Sequence, residues 1–300
     1  MPTYTSGVCP LCGSARLRAI GALDPAGARL PPPPGSRVVS CAGCSLVFVD
    51  PLPHWSDGDF AVLYGDDYFA AMPSWWHEVR EQREPARRFA VAARHLRSGE
   101  RTVLEVGAGV YGFMARHLAA RGWSATAQEP ATAFHARLRG ADARLRVVGT
   151  PFLDLPADER YALLFADSVF EHVANPLDYF RQAHDLLAPG GLLYLVSPNE
   201  HSLVNWLLTA RNRVTGRGAR MLCPYRESFH LLGYTRGALE WASRRVGLDL
   251  VYFARRHDYR WLHELHGGSG RLRYGRAALR WAMDAAGVGF NLEAALRRPR

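Results

Sequence analysis

The sequence predicts a doubly wound, seven-stranded and mainly parallel α/β sheet, preceded by a small cysteine-bearing module. Three observations carry that prediction. From residue 102 onward, short apolar and β-branched runs alternate with helical stretches, the pattern of a parallel sheet with crossover helices. The first run ends in a glycine-rich turn, Gly107-Ala108-Gly109-Val110-Tyr111-Gly112, placed where a strand hands over to a helix. Four of the five cysteines form two Cys-x-x-Cys pairs, Cys9/Cys12 and Cys41/Cys44.

Residues 1–52 form the predicted module, interrupted by the run Pro31–Pro34, which can continue neither a helix nor a central strand. Residues 53–98 read as a helical, aromatic cap. It carries Tyr64, Tyr68, Phe69, Trp75 and Trp76, with apolar residues at helical spacing between Glu78 and Leu96. The sheet domain, 99–256, has strands expected at Thr102–Val106, Ser124–Gln128, Leu145–Val148, Tyr161–Ala166 and Leu192–Val196. Helices are expected at Phe113–Arg121, Thr132–Leu138 and Leu177–Leu187, the last ended by Pro189-Gly190-Gly191. Residues 200–235 read as a less regular insertion that covers the substrate. A helix at Leu239–Val246 and a sixth strand at Leu248–Phe253 follow. In 257–300, a helix near Arg276–Ala286 and a strand near Phe290–Leu296 complete the sheet.

Composition narrows the class. Hydrophobic residues make up 48% of the 300 residues, enough for a sizeable core. The opening residues lack the charged-then-apolar pattern of a secretory signal. No apolar run approaches the ~20 residues that cross a bilayer. The expectation is a cytoplasmic protein with no membrane partner. Net charge is +9, and all 37 basic residues are arginine. The arginines are scattered, with local clusters at 211–220, 255–260 and 297–300. Such a charge permits a nucleic-acid or acidic partner without requiring one.

The glycine loop has two readings. Gly107, Gly109 and Gly112 satisfy GxGxxG, the dinucleotide fingerprint. Glu105, two residues before the first glycine, would repel a dianionic pyrophosphate there. It suits a ligand bearing an ammonium and a sulfonium, such as S-adenosylmethionine. Glu129 ends the next strand, where a carboxylate can accept hydrogen bonds from two ribose hydroxyls.

Four blocks in register then resemble the class I methyltransferases, particularly the branch related to ubiquinone O-methyltransferases. They are Leu104–Gly109, Gln128-Glu129-Pro130-Ala131, Asp167-Ser168-Val169-Phe170-Glu171-His172-Val173 through Pro176, and Leu187–Leu193 with Ser197-Pro198-Asn199. The resemblance implies a Rossmann-like methyltransferase fold. It implies a cofactor site of Glu105, Gly107, Ala108, Gly109, Glu129, Pro130, Phe152, Asp167 and Ser168, with Tyr68 capping the ligand. Tyr111 stands where the family has its third glycine, and Thr150 where an acid often meets the adenine. The cysteine module followed by Ser45–Pro51 and the Tyr64–Phe69 block is similar to a subgroup bearing a zinc module, many of whose relatives act in polysaccharide or secondary-metabolite pathways.

In a chain without a secretory signal, paired knuckles read as metal rather than disulfide. Four thiolates make a closed tetrahedral Zn²⁺ site with no open position for catalysis. Cys223 reads as an inert small apolar residue. If the acceptor needs a base, His172, beyond the fourth strand, and His230, before the sixth, are the candidates. The expected reaction is methyl transfer to oxygen, carbon or nitrogen of a small molecule, free or carrier-protein-bound, in a biosynthetic pathway. The alternatives are RNA base methylation, and a cofactor-binding protein that acts as a scaffold or in non-methylating chemistry.

Overall fold

The computed structural model describes residues 3–23, 30, 32–55, 59, 62–63, 84–141, 144–217, 230–256 and 282–300. In chain order the strands are β1 (Thr3–Thr5), β2 (Leu17–Ala22), β3 (Arg37–Cys41), β4 (Val47–Asp50), β5 (Leu52–His54), β6 (Thr102–Val106) and β7 (Ser124–Gln128). Then come β8 (Leu145–Val148), β9 (Tyr161–Asp167), β10 (Leu187–Pro198), β11 (Leu232–Gly233), β12 (Asp249–Arg256) and β13 (Asn291–Arg297). The helices are α1 (Glu84–His95), α2 (Phe113–Ala119), α3 (His135–Ala141), α4 (Pro176–Leu186), α5 (Leu203–Val214) and α6 (Arg236–Val246).

The large sheet has seven strands in the order β12-β13-β10-β9-β6-β7-β8. The inner strands run parallel, and β13 lies antiparallel between β10 and β12. Successive residues of one strand go to opposite faces. Val103, Leu163 and Leu192 therefore pack with α2 on one face, while Leu104, Leu164 and Leu193 pack with α4 and α6 on the other. Both faces are covered, which explains why β6, β9 and β10 read as near-continuous apolar runs. The strand order reverses between β6 and β9. Ligands collect in such a crevice at the carboxyl ends.

Three local outcomes differ from the sequence expectation. First, β10 begins at Leu187, directly after α4, because Pro189-Gly190-Gly191 makes a bulge rather than a break: its register against β9 shifts between Leu187 and Leu192. A side chain on Gly191 would meet the Ala188 and Tyr161 carbonyl oxygens at 2.8 and 2.9 Å. Second, the supposedly irregular insertion contains α5, capped by the Ser202 hydroxyl accepting from Asn205 N–H. Its Trp206 and Leu207 point outward while Asn205 and Asn212 are buried, so the buried face is polar and the apolar pattern does not mark the helix. Third, the cysteine module is not confined to 1–52. Its four-stranded sheet runs β11-β4-β3-β2, and β11 comes from residue 232. Its buried residues share one core with Leu104, Phe180 and Leu239 of the large domain. A separate two-stranded ladder joins β1 to β5. Most of the cap (56–58, 60–61, 64–83), the final part of the insertion (218–229) and most of the expected C-terminal helix lie outside the described residues, and Tyr68 and Cys223 with them.

Candidate active site at the carboxyl edge of the sheet

The glycine loop leaves β6 at Gly107, whose φ is +61° and whose absent Cβ would lie 2.7 Å from Val169 Cγ2. Only glycine meets both conditions without strain. Gly107 N–H donates to Gln128 Oε1 at 3.1 Å, and Gly109 N–H to Glu129 Oε2 at 2.8 Å. The other Glu129 oxygen accepts from Ala131 N–H at 2.9 Å. Burial raises the Glu129 pKa, and these two N–H groups only partly oppose that. His135 donates from Nε2 to the Glu129 carbonyl at 2.6 Å. Gln128 completes the brace by donating from Nε2 to the Thr150 carbonyl at 3.0 Å. Tyr111 stacks on Phe113 at 4.9 Å between centroids, and the Arg137 guanidinium lies over the Tyr111 ring, 5.0 Å from its centroid.

Glu105 lies at the carboxyl end of β6, against the start of α2. Its buried carboxylate accepts from Ala115 N–H at 2.8 Å, in the first turn of α2. The orphan N–H groups and positive dipole end that would attract pyrophosphate already face a carboxylate of the protein. The dinucleotide reading is therefore disfavoured by a side chain that occupies the helix terminus, not by one held in the open cleft.

At the end of β9, Asp167 Oδ2 accepts from Arg88 Nη1 at 2.7 Å. Arg88 reaches over from α1 and is 3% exposed. It lies among Glu84 and Glu293, and neighbouring Arg87 donates to Glu293 Oε2 at 3.0 Å. Tyr194 O–H also donates to Glu293, at 2.8 Å. Next comes Ser168, a non-glycine residue at φ +60°, a conformation that costs free energy and often marks a functional turn.

The turn continues into Phe170–His172, where a second group assembles. Glu171 is fully buried; His172 and His230 have side chains 11% and 15% exposed. Both Nε2 atoms approach Glu171 Oε1, at 3.9 and 4.0 Å, and the two rings lie 4.8 Å apart. The arrangement can accept and hold a proton.

The two cysteine pairs are built alike. Gly13 N–H donates to Cys9 O at 2.9 Å and Ser45 N–H to Cys41 O at 2.8 Å. Cys9 N–H donates to Ser14 O at 3.0 Å and Cys41 N–H to Leu46 O at 2.8 Å. Gly13 and Ser45 hold the same left-handed conformation, φ +72° and +66°. The four sulfurs lie within 4.8 Å of one another, with Cys9–Cys44 at 3.6 Å and Cys12–Cys41 at 3.4 Å. A tetrahedron of Zn–S bonds of about 2.3 Å has sulfurs about 3.8 Å apart, so the set fits that ion. Without a cation the thiols compete: the hydrogen bond from Cys44 lowers Cys9 to about 6, while burial pushes Cys12 up to about 11.

A family model described as a methyltransferase domain matches residues 75–289. The chain belongs to that family. The seven-stranded sheet is the fold of similar solved structures. One is an S-adenosylmethionine-dependent methyltransferase from Archaeoglobus fulgidus, 15% identical with a TM-score of 0.52 over 78% of this chain and 100% of that one. Another is the 1,6-didemethyltoxoflavin-N1-methyltransferase of Burkholderia thailandensis, 14% identical with a TM-score of 0.50 over 89% and 97%. Among curated proteins, the tRNA U34 carboxymethyltransferase of Klebsiella pneumoniae is 35% identical over 101 residues, 32% of this chain and 30% of that one. The chain thus spans under a third of the length of the curated relatives it matches.

Of the sequence-predicted site residues, the structure brings Gly107, Ala108, Gly109 and Glu129 together at one loop, with Pro130 between Glu129 and Ala131. It joins His172 to His230 across 58 residues of chain. Phe152 is 2% exposed, its ring 5.3 Å from that of Tyr179 and 6.4 Å from that of Phe170. Gln128, Arg88 and Glu171 were not singled out. Gln128 and Glu171 stand inside the quoted blocks, so their position was a usable signal. Arg88 had none, being one arginine among 37.

Proposed function

We propose that this methyltransferase acts on an oxygen, carbon or nitrogen atom of a small molecule, free or carrier-protein-bound, with His172 and His230 as its catalytic residues. The observation that carries the proposal is the convergence of both imidazoles on buried Glu171 beside the cofactor loop. Val169, which packs against Gly107, accepts from His172 N–H at 3.0 Å through its carbonyl, which links the loop to the histidine turn. S-adenosylmethionine, when bound, supplies a methyl group made electrophilic by its sulfonium. Gly107, Ala108 and Gly109 let the ligand approach the backbone, and Glu129 keeps acceptor capacity for ribose hydroxyls beside its two backbone bonds. Pro130, Phe152 and Tyr68 shape the adenosine side; Asp167 and Ser168 shape the sulfonium side. An imidazole would take the acceptor's proton as the acceptor–methyl bond forms and the methyl–sulfur bond breaks with its electron pair left on sulfur, and Glu171 would stabilise the resulting imidazolium. The rest of the rate comes from holding acceptor and methyl in line.

The branch related to ubiquinone O-methyltransferases, a structural Zn²⁺ on Cys9, Cys12, Cys41 and Cys44, and a biosynthetic role in the cytoplasm belong to the same proposal. Its test is calorimetry with S-adenosylmethionine, followed by S-adenosylhomocysteine release across a panel of hydroxylated and carbon-acid acceptors. Absence of cofactor binding would sink it. Release that survives in both His172→Gln and His230→Gln would sink the catalytic assignment alone.

A second reading, methylation of an RNA base, is favoured by the match to the tRNA enzyme and the +9 charge. It requires RNA binding that weakens steeply with salt, and a flat salt dependence would exclude it.

A further inference from the structure

The cysteine sheet is wired to one of the two catalytic imidazoles. His230 opens a short segment that runs between the sheet domain and the cysteine module. On one side Leu231 N–H donates to the Glu171 carbonyl at 2.8 Å, and Tyr234 O–H to the Phe170 carbonyl at 3.1 Å. On the other side Val49 N–H donates to the Leu231 carbonyl at 3.1 Å. Leu232 and Gly233 then pair with Phe48 and Val47 as β11. Thr235 hydroxyl donates to the Ser45 carbonyl at 3.1 Å. A Cβ on Gly237, at the start of α6, would meet Ser45 Oγ at 3.3 Å.

Residue 231 is thus held between Glu171 and β4 by its own N–H and C=O, and His230 is its immediate neighbour. β4 in turn begins three residues after Cys44. Its start is fixed by the second knuckle, where Cys41 N–H bonds Leu46 O and Ser45 N–H bonds Cys41 O. β11 has only two residues, too few to hold a register by itself. The ladder to β4 supplies that register. The cofactor loop is braced independently, by Gln128 and Glu129.

We infer that the metal-loaded cysteine module is a positioning device for the acceptor side: by fixing the Cys41–Cys44 turn it sets β4, and through β11 it sets His230 against Glu171 and His172. This rests on the reading of His230 as an acceptor-side residue. It goes beyond a structural zinc, because it predicts a local effect of the metal at a distant imidazole rather than a general loss of stability.

The test uses the full chain with S-adenosylhomocysteine added, before and after a chelator strips the zinc, with metal content measured. Histidine ring signals are followed by NMR and assigned with His230→Gln and His172→Gln. Zinc removal is expected to shift or broaden the His230 and His172 signals together. It should also speed hydrogen exchange at Leu231–Gly233 by tenfold or more. His117, on α2, and the affinity for S-adenosylhomocysteine should change less than twofold.

Val49→Pro deletes the donor to Leu231 while zinc stays bound, and should reproduce the same shifts; Thr235→Val should produce smaller ones in the same direction. Unmoved His230 and His172 signals in a chain verified to be zinc-free overturn the inference. So does simultaneous collapse of every histidine signal, which would make the metal a general folding requirement. Failure of the zinc-loaded chain to bind S-adenosylhomocysteine would instead remove the proposed function, while the histidine signals still report on the wiring.

Discussion

The proposed cofactor end of the site and its proposed acceptor end differ in how much chain they need. Residues 105–131, with the Thr150 carbonyl, supply the glycine-loop brace, and its longest span is the 22 residues from Gln128 to Thr150. The acceptor end joins the 44–50 turn and strand to 171–172 and to 230–235. The first is set mainly by backbone geometry and positive φ; the second by hydrogen bonds between segments far apart in sequence. Damage to the first should therefore show as lost ligand affinity. Damage to the second should show as displaced side chains on an intact sheet. Arg88 stands where the two meet, tying α1 to the strand that carries both.

The largest effect is expected there. Arg88→Ala leaves Asp167, Glu84 and Glu293 buried around a missing cation. Breaking a buried ion pair from one side costs about 3–5 kcal/mol. Urea unfolding should show a drop of that size, with both ends of the crevice affected together. A loss under about 1 kcal/mol would mean that the surrounding carboxylates take up protons instead.

Gly107→Ala should separate the ends. Alanine must adopt φ +61° and displace Val169, whose Cγ2 lies 2.7 Å from the new Cβ. The strain is worth about 2–3 kcal/mol. S-adenosylhomocysteine affinity, read by calorimetry, should fall more than tenfold. Unchanged affinity would show that the loop tolerates the shift and that its glycines serve packing alone.

Glu129→Ala removes the acceptor for Gly109 and Ala131 N–H. The cost of leaving such donors unmet is about 1–3 kcal/mol. It should appear mainly as weaker cofactor binding, with the histidine signals of the acceptor end in place. Glu129→Gln should recover part of the affinity, since an amide oxygen still accepts one of the two bonds.

The same contrast explains what could be read from the chain beforehand. The glycine loop, Glu129 and the strand order were legible because strand, turn and helix follow one another within a short window. The cysteine pairs were legible for the same reason, each turn being complete in six residues. Glu105 was legible as a residue but not as a contact. Strand alternation does not say which neighbour its carboxylate meets, and Ala115 N–H meets it first. Ser45 hid its likeness to Gly13, since a serine at positive φ leaves no mark in sequence. α5 turns Trp206 and Leu207 outward and buries Asn205 and Asn212, so the apolar pattern does not mark the helix. Arg88 and the pairing of β11 with β4 lay beyond local pattern altogether. Their partners are 79 residues away in one case and the N-terminal module in the other.

The smallest expected effect concerns Asp50, and it probes the far anchor of the acceptor end. Burial opposes its ionisation but is outweighed by Gly7 N–H, Arg37 and the Ser6 hydroxyl, so its pKa is lowered from 3.8. The bonds are 3.0 Å to Gly7, 3.0 Å to Ser6 and 2.9 Å to Arg37 Nη2. A carboxylate whose folded pKa is depressed contributes stability above the unfolded value and loses it as pH falls through the folded value. The contribution should therefore be complete at pH 5 and above, and decline below about pH 4. Acid also protonates the zinc thiolates, so the wild-type pH profile alone does not isolate Asp50. The comparison with Asp50→Asn does. At pH 7 the variant should be less stable by about 1 kcal/mol, and the gap should close as the pH falls below 4. A gap that stays constant across that window would mean that Asp50 acts through its shape and not its charge, and that β4 is anchored by the knuckle alone.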